Sequence, residues 1–181
     1  MKYIERWALM RNSLRENVSE HSLETAVVAH ALAIIGNCRL GMDYDIEYIA
    51  LLAMYHDCTE IITGDMPTPV KYYNTEIKDA YKEIEVNAAK NLLSRLPEDM
   101  ALEYEKYLLP KEDASVMKLI KAADKISALI KCIEEEKTGN REFNHAKEST
   151  FKAIRELECK EAEIFCEEFV PEYEKTLDEL N

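Results

Sequence analysis

The stretch VSEHSLETAVVAHALAIIGN, residues 18–37, decides the fold. Its apolar residues recur at helical spacing on several faces, which marks a helix buried at the centre of an all-α protein. Asn17 followed by Glu20 has capping-box spacing and sets its start, with Gly36 or Asn37 near its stop. Downstream, Asp45 to about Cys58 reads as a second helix, with Ile46, Ile49, Ala50, Ala53 and Tyr55 to Asp57 stepping around its inner face. It runs into TEIITGDMPTP, where Gly64, Pro67 and Pro69 force a loop of defined shape. Asn74 to Leu93 predicts an amphipathic helix, Pro97 opens a short one, and Glu112 to about Lys137 forms a long one closed by Gly139. Residues 141–180 add further helical turns. No sustained two-residue alternation is bounded by turn signals, so few or no strands are expected. With no repeats or linkers, residues 1–181 are expected to form one domain.

Composition narrows the function. Against 23 basic residues stand 36 acidic ones, a formal charge of -13 that repels a DNA or RNA polymer over most of the surface. A small anion is still admissible, because a metal or local cation reverses the field inside one cleft. The five cysteines are scattered with no C-x-x-C pair, which fits reduced thiols and a cytoplasmic location. The N-terminal residues carry charges every few positions, unlike a signal peptide, and no run approaches the roughly 18 apolar residues of a membrane span.

The chemistry gathers around His56, followed at once by Asp57 at a helix end, where an imidazole and a carboxylate can converge on one cation. A His-Asp pair alone is more often an ordinary hydrogen-bonded helix end. His21, in the first turn of the apolar helix, must find a partner if buried. Asp124 sits one turn after Ile120 and one turn before Ala128, where a carboxylate is costly unless paired or coordinated. Ala123, Ser127 and Ala128 beside it are small and leave room for a ligand.

His21, His56-Asp57 and Asp124 on three helices follow the pattern H…HD…D of the HD-domain phosphohydrolases, and the chain resembles that superfamily. The motifs RW at 6–7, NVSEHS at 17–22, ALLAMYHDCTEIITGDMPTPVKYYN at 50–74 and KAADKISALIKCIEE at 121–135, with EFVPEYEKTLDEL near the end, are similar to the YfbR-type 5'-deoxynucleotidases. The resemblance implies a helical HD bundle, a homodimer, and one divalent metal bound by His21, His56, Asp57 and Asp124. Co or Mn is the expected ion, with Zn, Fe and Mg as alternatives. It implies a hydrolase that converts deoxyribonucleoside 5'-monophosphates to deoxyribonucleosides and phosphate. Compared with longer bacterial members the chain begins late, so part of a first helix is expected to be absent, with weaker local stability before Arg6.

Phosphate-ester hydrolysis needs a nucleophile, neutralised phosphoryl oxygens and help for the leaving oxygen. Glu60, three and four residues after the His-Asp pair, would orient or deprotonate water if the helix continues. Asp65 would deliver a proton to the leaving oxygen, and the two carboxyls can exchange these roles. Arg6 is expected to clamp the phosphate through paired guanidinium hydrogen bonds, with Lys71 a weaker second cation. The resemblance sets Trp7 against the sugar and Asp65, Met66, Pro67 and Thr68 against the substrate, beside Asp57 and Asp124. His30 is expected to be a satisfied buried histidine. His145 has no partner at ligand spacing, and Tyr72, Tyr73 and Tyr81 fit a helix-packing cluster. Two rivals stand: an HD hydrolase acting on triphosphates, cyclic nucleotides or guanosine polyphosphates, and a noncatalytic nucleotide-sensing or partner-binding module. The scarcity of basic residues near the motifs favours a monophosphate, and intact ligands with two extra carboxyls favour an enzyme.

Overall fold

The computed structural model describes residues 1–111 and 114–180. Its long helices are α1 (Val18–Arg39), α2 (Ile46–Tyr55), α5 (Thr75–Leu93), α6 (Glu98–Leu108), α7 (Ala114–Lys137), α8 (Asn144–Glu156) and α9 (Lys160–Glu168). Between them lie the single turns α3 (Glu60–Thr63) and α4 (Thr68–Lys71), and α10 (Val170–Glu174) follows α9. Among the described residues there is no strand, only an isolated bridge between Glu5 and Asn17. The expected start of the long helix at Glu112 lies outside the described residues.

At the centre α1 packs on α2 and α7, with α8 and α9 completing the core. Small buried residues at the contact, Ala26, Ala29 and Ala33 on α1 with Ala122 and Ala123 on α7, let these helices approach closely. Leu32, Ile126 and Ile130 fill the space around them, each fully buried. Truncating such a side chain costs about 2–5 kcal/mol, so this core fixes the helices that carry the site.

Local signals act as expected at the starts. Asn17 accepts from the backbone of Ser19 and Glu20 while Glu20 accepts from the Asn17 amide, completing the capping box. Asp45 and Asn74 cap α2 and α5 with single side-chain bonds, accepting from the backbone of Tyr48 and Ile77.

Three expectations need correction. The α1 helix passes through Gly36 to Arg39, because that glycine makes room rather than a stop: a Cβ there would stand 2.5 Å from the Tyr44 ring. Nor is α1 buried all round. Leu23, Val27 and Ile34 are exposed, and His30 shares their face and is exposed too, not buried. Finally, α2 ends at Tyr55, and residues 56–59 turn through i→i+3 bonds from Cys58 to Tyr55 and from Glu60 to Asp57. Glu60 therefore opens a new turn instead of continuing the helix.

Candidate metal centre and adjoining cleft

The turn at 56–59 is what aims the His-Asp pair. His56 Nδ1 donates to the Ala53 carbonyl at 2.7 Å, which leaves the Nε2 lone pair of the neutral ring facing inward. Nε2 is buried, makes no aligned hydrogen bond, and lies 3.1 Å from Asp57 Oδ2. Across from it, the fully buried His21 places Nε2 3.5 Å from Asp57 Oδ2 and 3.1 Å from Asp124 Oδ1. His21, from the first turn of α1, is oriented by Ser127 on α7. The Ser127 hydroxyl donates to Glu24 at 2.5 Å, so its oxygen accepts from His21 Nδ1 at 3.1 Å.

One ligand atom each from His21, His56 and Asp124 lies within 4.8 Å of the others, and Asp57 stands beside both imidazoles. Two nitrogen lone pairs facing two carboxylates repel unless a cation lies between them. The donor set fits a borderline divalent ion. Proton affinities carry the same demand. Burial opposes charging His56, yet the Asp57 and Asp124 carboxylates outweigh it and raise the ring to about 9. Burial likewise disfavours the charged forms of Asp57 and Asp124, but the histidines prevail and hold both below the usual carboxylate range.

Glu60 is buried, its Oε2 has no partner, and burial plus the charges of Asp57 and Asp65 push it up to about 8. Asp65 is raised chiefly by burial, although Arg6 pulls it down. Its loop is held by Thr63 and Tyr81, both of which donate to the Gly64 carbonyl. Gly64 needs its freedom here, with φ at +72°.

Above Asp124 opens a cleft of about 630 Å³. Arg6, Trp7, Asp65, Pro67 and Thr68 line it, whereas Met66 is half-buried and not on its wall. Arg6 has a buried Nη1 with no partner. Trp7 donates from Nε1 to Glu16 at 2.8 Å and packs on Phe143 with ring centres 5.2 Å apart. Lys71 is not free to meet a phosphate: Glu85 holds its ammonium at 2.8 Å, over the Tyr81 ring. Tyr81 is buried, but Tyr72 lines the cleft and Tyr73 is exposed, so the three form no packing cluster.

Several site residues escape sequence reasoning. Ser127 is a hydrogen-bonding partner, not spare room, and its signal was a hydroxyl one turn after Asp124. Glu24 follows His21 by one turn. Lys125, next to Asp124, lines the cleft, as do His145 and Ser149 on α8. Nothing in their local spacing points there, since the α7–α8 packing alone brings them in.

The likenesses to known proteins agree with this geometry. The 5'-deoxynucleotidase of Vibrio cholerae is 46% identical over 182 residues, covering 100% of this chain and 94% of its own. A crystal structure of an HD-domain phosphohydrolase from Listeria innocua superposes with a TM-score of 0.82 at 26% identity, covering 94% of this chain and 82% of that one. The HD phosphohydrolase of cyanophage S-2L, bound to dA and one catalytic Zn²⁺, shares the fold with a TM-score of 0.67 at 18% identity over 93% and 91% of the two chains. The 5'-deoxynucleotidase YfbR-like family model matches residues 1–173, and with the H…HD…D residues gathered at one centre the chain belongs to that family.

Proposed function

We propose that this chain is a 5'-deoxynucleotidase, hydrolysing deoxyribonucleoside 5'-monophosphates to deoxyribonucleosides and phosphate. One observation carries the reading. Of five buried side-chain atoms without a partner among the described residues, three are Arg6 Nη1, His56 Nε2 and Glu60 Oε2. A buried polar atom left alone costs about 1–3 kcal/mol, so an unpaired donor, an unpaired lone pair and an unpaired carboxyl in one site call for an anion, a cation and a water molecule.

A divalent cation held by His21, His56, Asp57 and Asp124 would supply Lewis-acid charge to the phosphoryl oxygens and lower the pKa of water toward neutrality. Arg6 binds the phosphate and neutralises its charge as the P–O5' bond breaks. Glu60 orients the attacking water and takes its proton, while Asp65 gives a proton to the departing O5'. The reverse assignment of the two carboxyls uses the same atoms. Trp7 packs on the deoxyribose, and Asp65, Pro67 and Thr68 border the substrate together with Asp57 and Asp124, while Met66 lies off the cleft wall. Co²⁺ or Mn²⁺ suits this nitrogen and oxygen set, with Zn²⁺, Fe²⁺ and Mg²⁺ as alternatives.

Among the described residues only Arg6 and Lys125 bring formal positive charge to the cleft wall, enough for one phosphate and too little for three. Phosphate release should be measured from deoxy- and ribonucleoside mono-, di- and triphosphates with each metal in turn. Release from the deoxy monophosphates is expected, and preferred release from triphosphates would overturn the reading.

The working form is a cytoplasmic homodimer of one-domain chains. Among the described residues no helix is long and apolar enough to cross a membrane. Leu23, Val27 and Ile34 leave an apolar stripe open on α1 that a second copy would cover. Sedimentation equilibrium should give twice the chain mass, and Val27→Glu should halve it; a monomeric wild type removes the dimer.

A further inference from the structure

Residues 4–18 form a loop that carries both Arg6 and Trp7. Backbone hydrogen bonds close its neck, from Arg6 to Glu16 and from Val18 to Ile4, each at 3.0 Å. Its far end is turned by Met10 N–H donating to the Trp7 carbonyl at 2.9 Å and by Asn12 Nδ2 reaching the Trp7 and Met10 carbonyls, while Arg11 N–H donates to Glu142. The amides that follow still need partners in the body of the protein.

Those of Ser13 and Leu14 go to an ion pair inside α7. Glu135 is fully buried and accepts from the backbone N–H of Ser13 at 2.8 Å and of Leu14 at 3.0 Å. Its other donors are Lys131 at 2.6 Å and Asn140 at 2.8 Å. Lys131, also buried, donates to the Leu14 carbonyl at 2.5 Å. Asn140 reaches the Arg11 carbonyl at 2.7 Å. The Lys131 ammonium also lies 5.8 Å from the centre of the buried Phe143 ring, the ring against which Trp7 packs.

Helix packing does not explain these charges. Isolating an ion pair from water is expensive, and apolar residues of similar volume would fill the space as well or better. What apolar residues cannot do is bind the backbone of the loop. Trp7 adds a second sign of external constraint: its φ of +59° is a conformation that a bulky residue holds only when its surroundings impose it.

We propose that Lys131 and Glu135 are positioning residues for substrate binding, anchoring the loop so that Arg6 and Trp7 stand preformed over the metal centre. The proposal rests on the substrate roles given to Arg6 and Trp7 above. A preformed loop spares the substrate the cost of ordering it, so loss of the anchor acts on affinity more than on chemistry.

Trp7 is the only tryptophan, so its fluorescence reports the loop without any assay of activity. The variants are Glu135→Gln and the double replacement Lys131→Met with Glu135→Met, which leaves no buried charge unpaired and is expected to keep the fold. In both, Trp7 emission should shift to longer wavelength and become more quenchable by acrylamide. KM for a deoxynucleoside 5'-monophosphate should rise at least about tenfold, more than kcat falls, with metal affinity and helical circular dichroism unchanged. Unchanged emission and KM in folded variants would overturn the proposal, as would loss of helix in both, because the pair would then serve the fold as a whole. Shifted emission with an unchanged KM supports the anchor and instead overturns the substrate role of Arg6 and Trp7.

Discussion

The ring of His21 and the hydroxyl of Ser127 meet at 3.1 Å inside the core, and the same hydroxyl donates to Glu24. This relay keeps the proton on Nδ1 and leaves Nε2 to face Asp57 and Asp124. A histidine ligand whose outer hydrogen bond is removed loses orientation and basicity, typically at a cost of about 10- to 100-fold in metal affinity. Ser127→Ala is therefore expected to weaken metal binding by that factor in calorimetry, with melting of the metal-free protein little changed. Equal affinities would reduce the relay to core packing.

Metal uptake should release protons. His56, raised to about 9, must lose its proton to donate a lone pair, and a cation beside Glu60, raised to about 8, favours its ionised form. Calorimetry near neutral pH in buffers of different ionisation enthalpy should show net proton release, and uptake would contradict the site.

The same shifts set the stability of the metal-free protein. A raised pKa means tighter proton binding in the folded state, so this contribution is whole below the unfolded pKa and is lost as pH climbs through the folded one. Thermal stability is therefore expected to fall as pH rises from about 4.5 to about 8 through Glu60, and from about 6.5 to about 9 through His56. The lowered Asp57 and Asp124 act in the opposite sense and lose their contribution in acid. Glu60→Gln should flatten the fall below about pH 8 and leave the part due to His56, and an unaltered slope there would assign it elsewhere.

Glu60 and Asp65 should matter for turnover more than for binding. Each Ala variant is expected to keep metal and KM while kcat drops by at least about 10²-fold, the usual scale of acid-base catalysis. A variant with unchanged kcat would remove that carboxyl from the mechanism.

Trp7 should set the preference for deoxyribose. If the indole packs against C2', a ribonucleotide buries its 2'-hydroxyl without a partner at about 1–3 kcal/mol, or roughly 5- to 150-fold. Trp7→Ala should narrow the ratio of kcat/KM for deoxy over ribo monophosphates, mainly by admitting the ribonucleotide. A constant ratio in a folded variant would move discrimination to the Asp65–Thr68 loop.

The helices and most of the centre were legible in the sequence for physical reasons. Capping residues such as Asn17, Asp45 and Asn74 act within one turn, and the apolar spacing around Ala29 and Ile126 reports burial directly. A lone carboxylate beside a core stripe, Asp124, is conspicuous because it is costly. What could not be read depends on contacts between distant segments. The exposure of His30 turns on which face of α1 the other helices cover. The distraction of Lys71 depends on Glu85 one helix away, and the anchoring of Ser13 and Leu14 depends on Glu135 far along the chain. Gly36 looked like a stop because its real reason, the Tyr44 ring, lies beyond the helix.

The proposed mechanism requires one metal ion at His21, His56, Asp57 and Asp124 for monophosphate hydrolysis. Its most direct test is a titration of chelator-stripped protein with Co²⁺ or Mn²⁺, following bound metal and phosphate release from a deoxynucleoside 5'-monophosphate in the same samples. Release should be absent without metal and should saturate at one ion per chain, and Asp124→Ala should lose both signals while remaining helical. Full release from stripped protein, or from the Asp124 variant without metal, would rule out a metal-dependent mechanism.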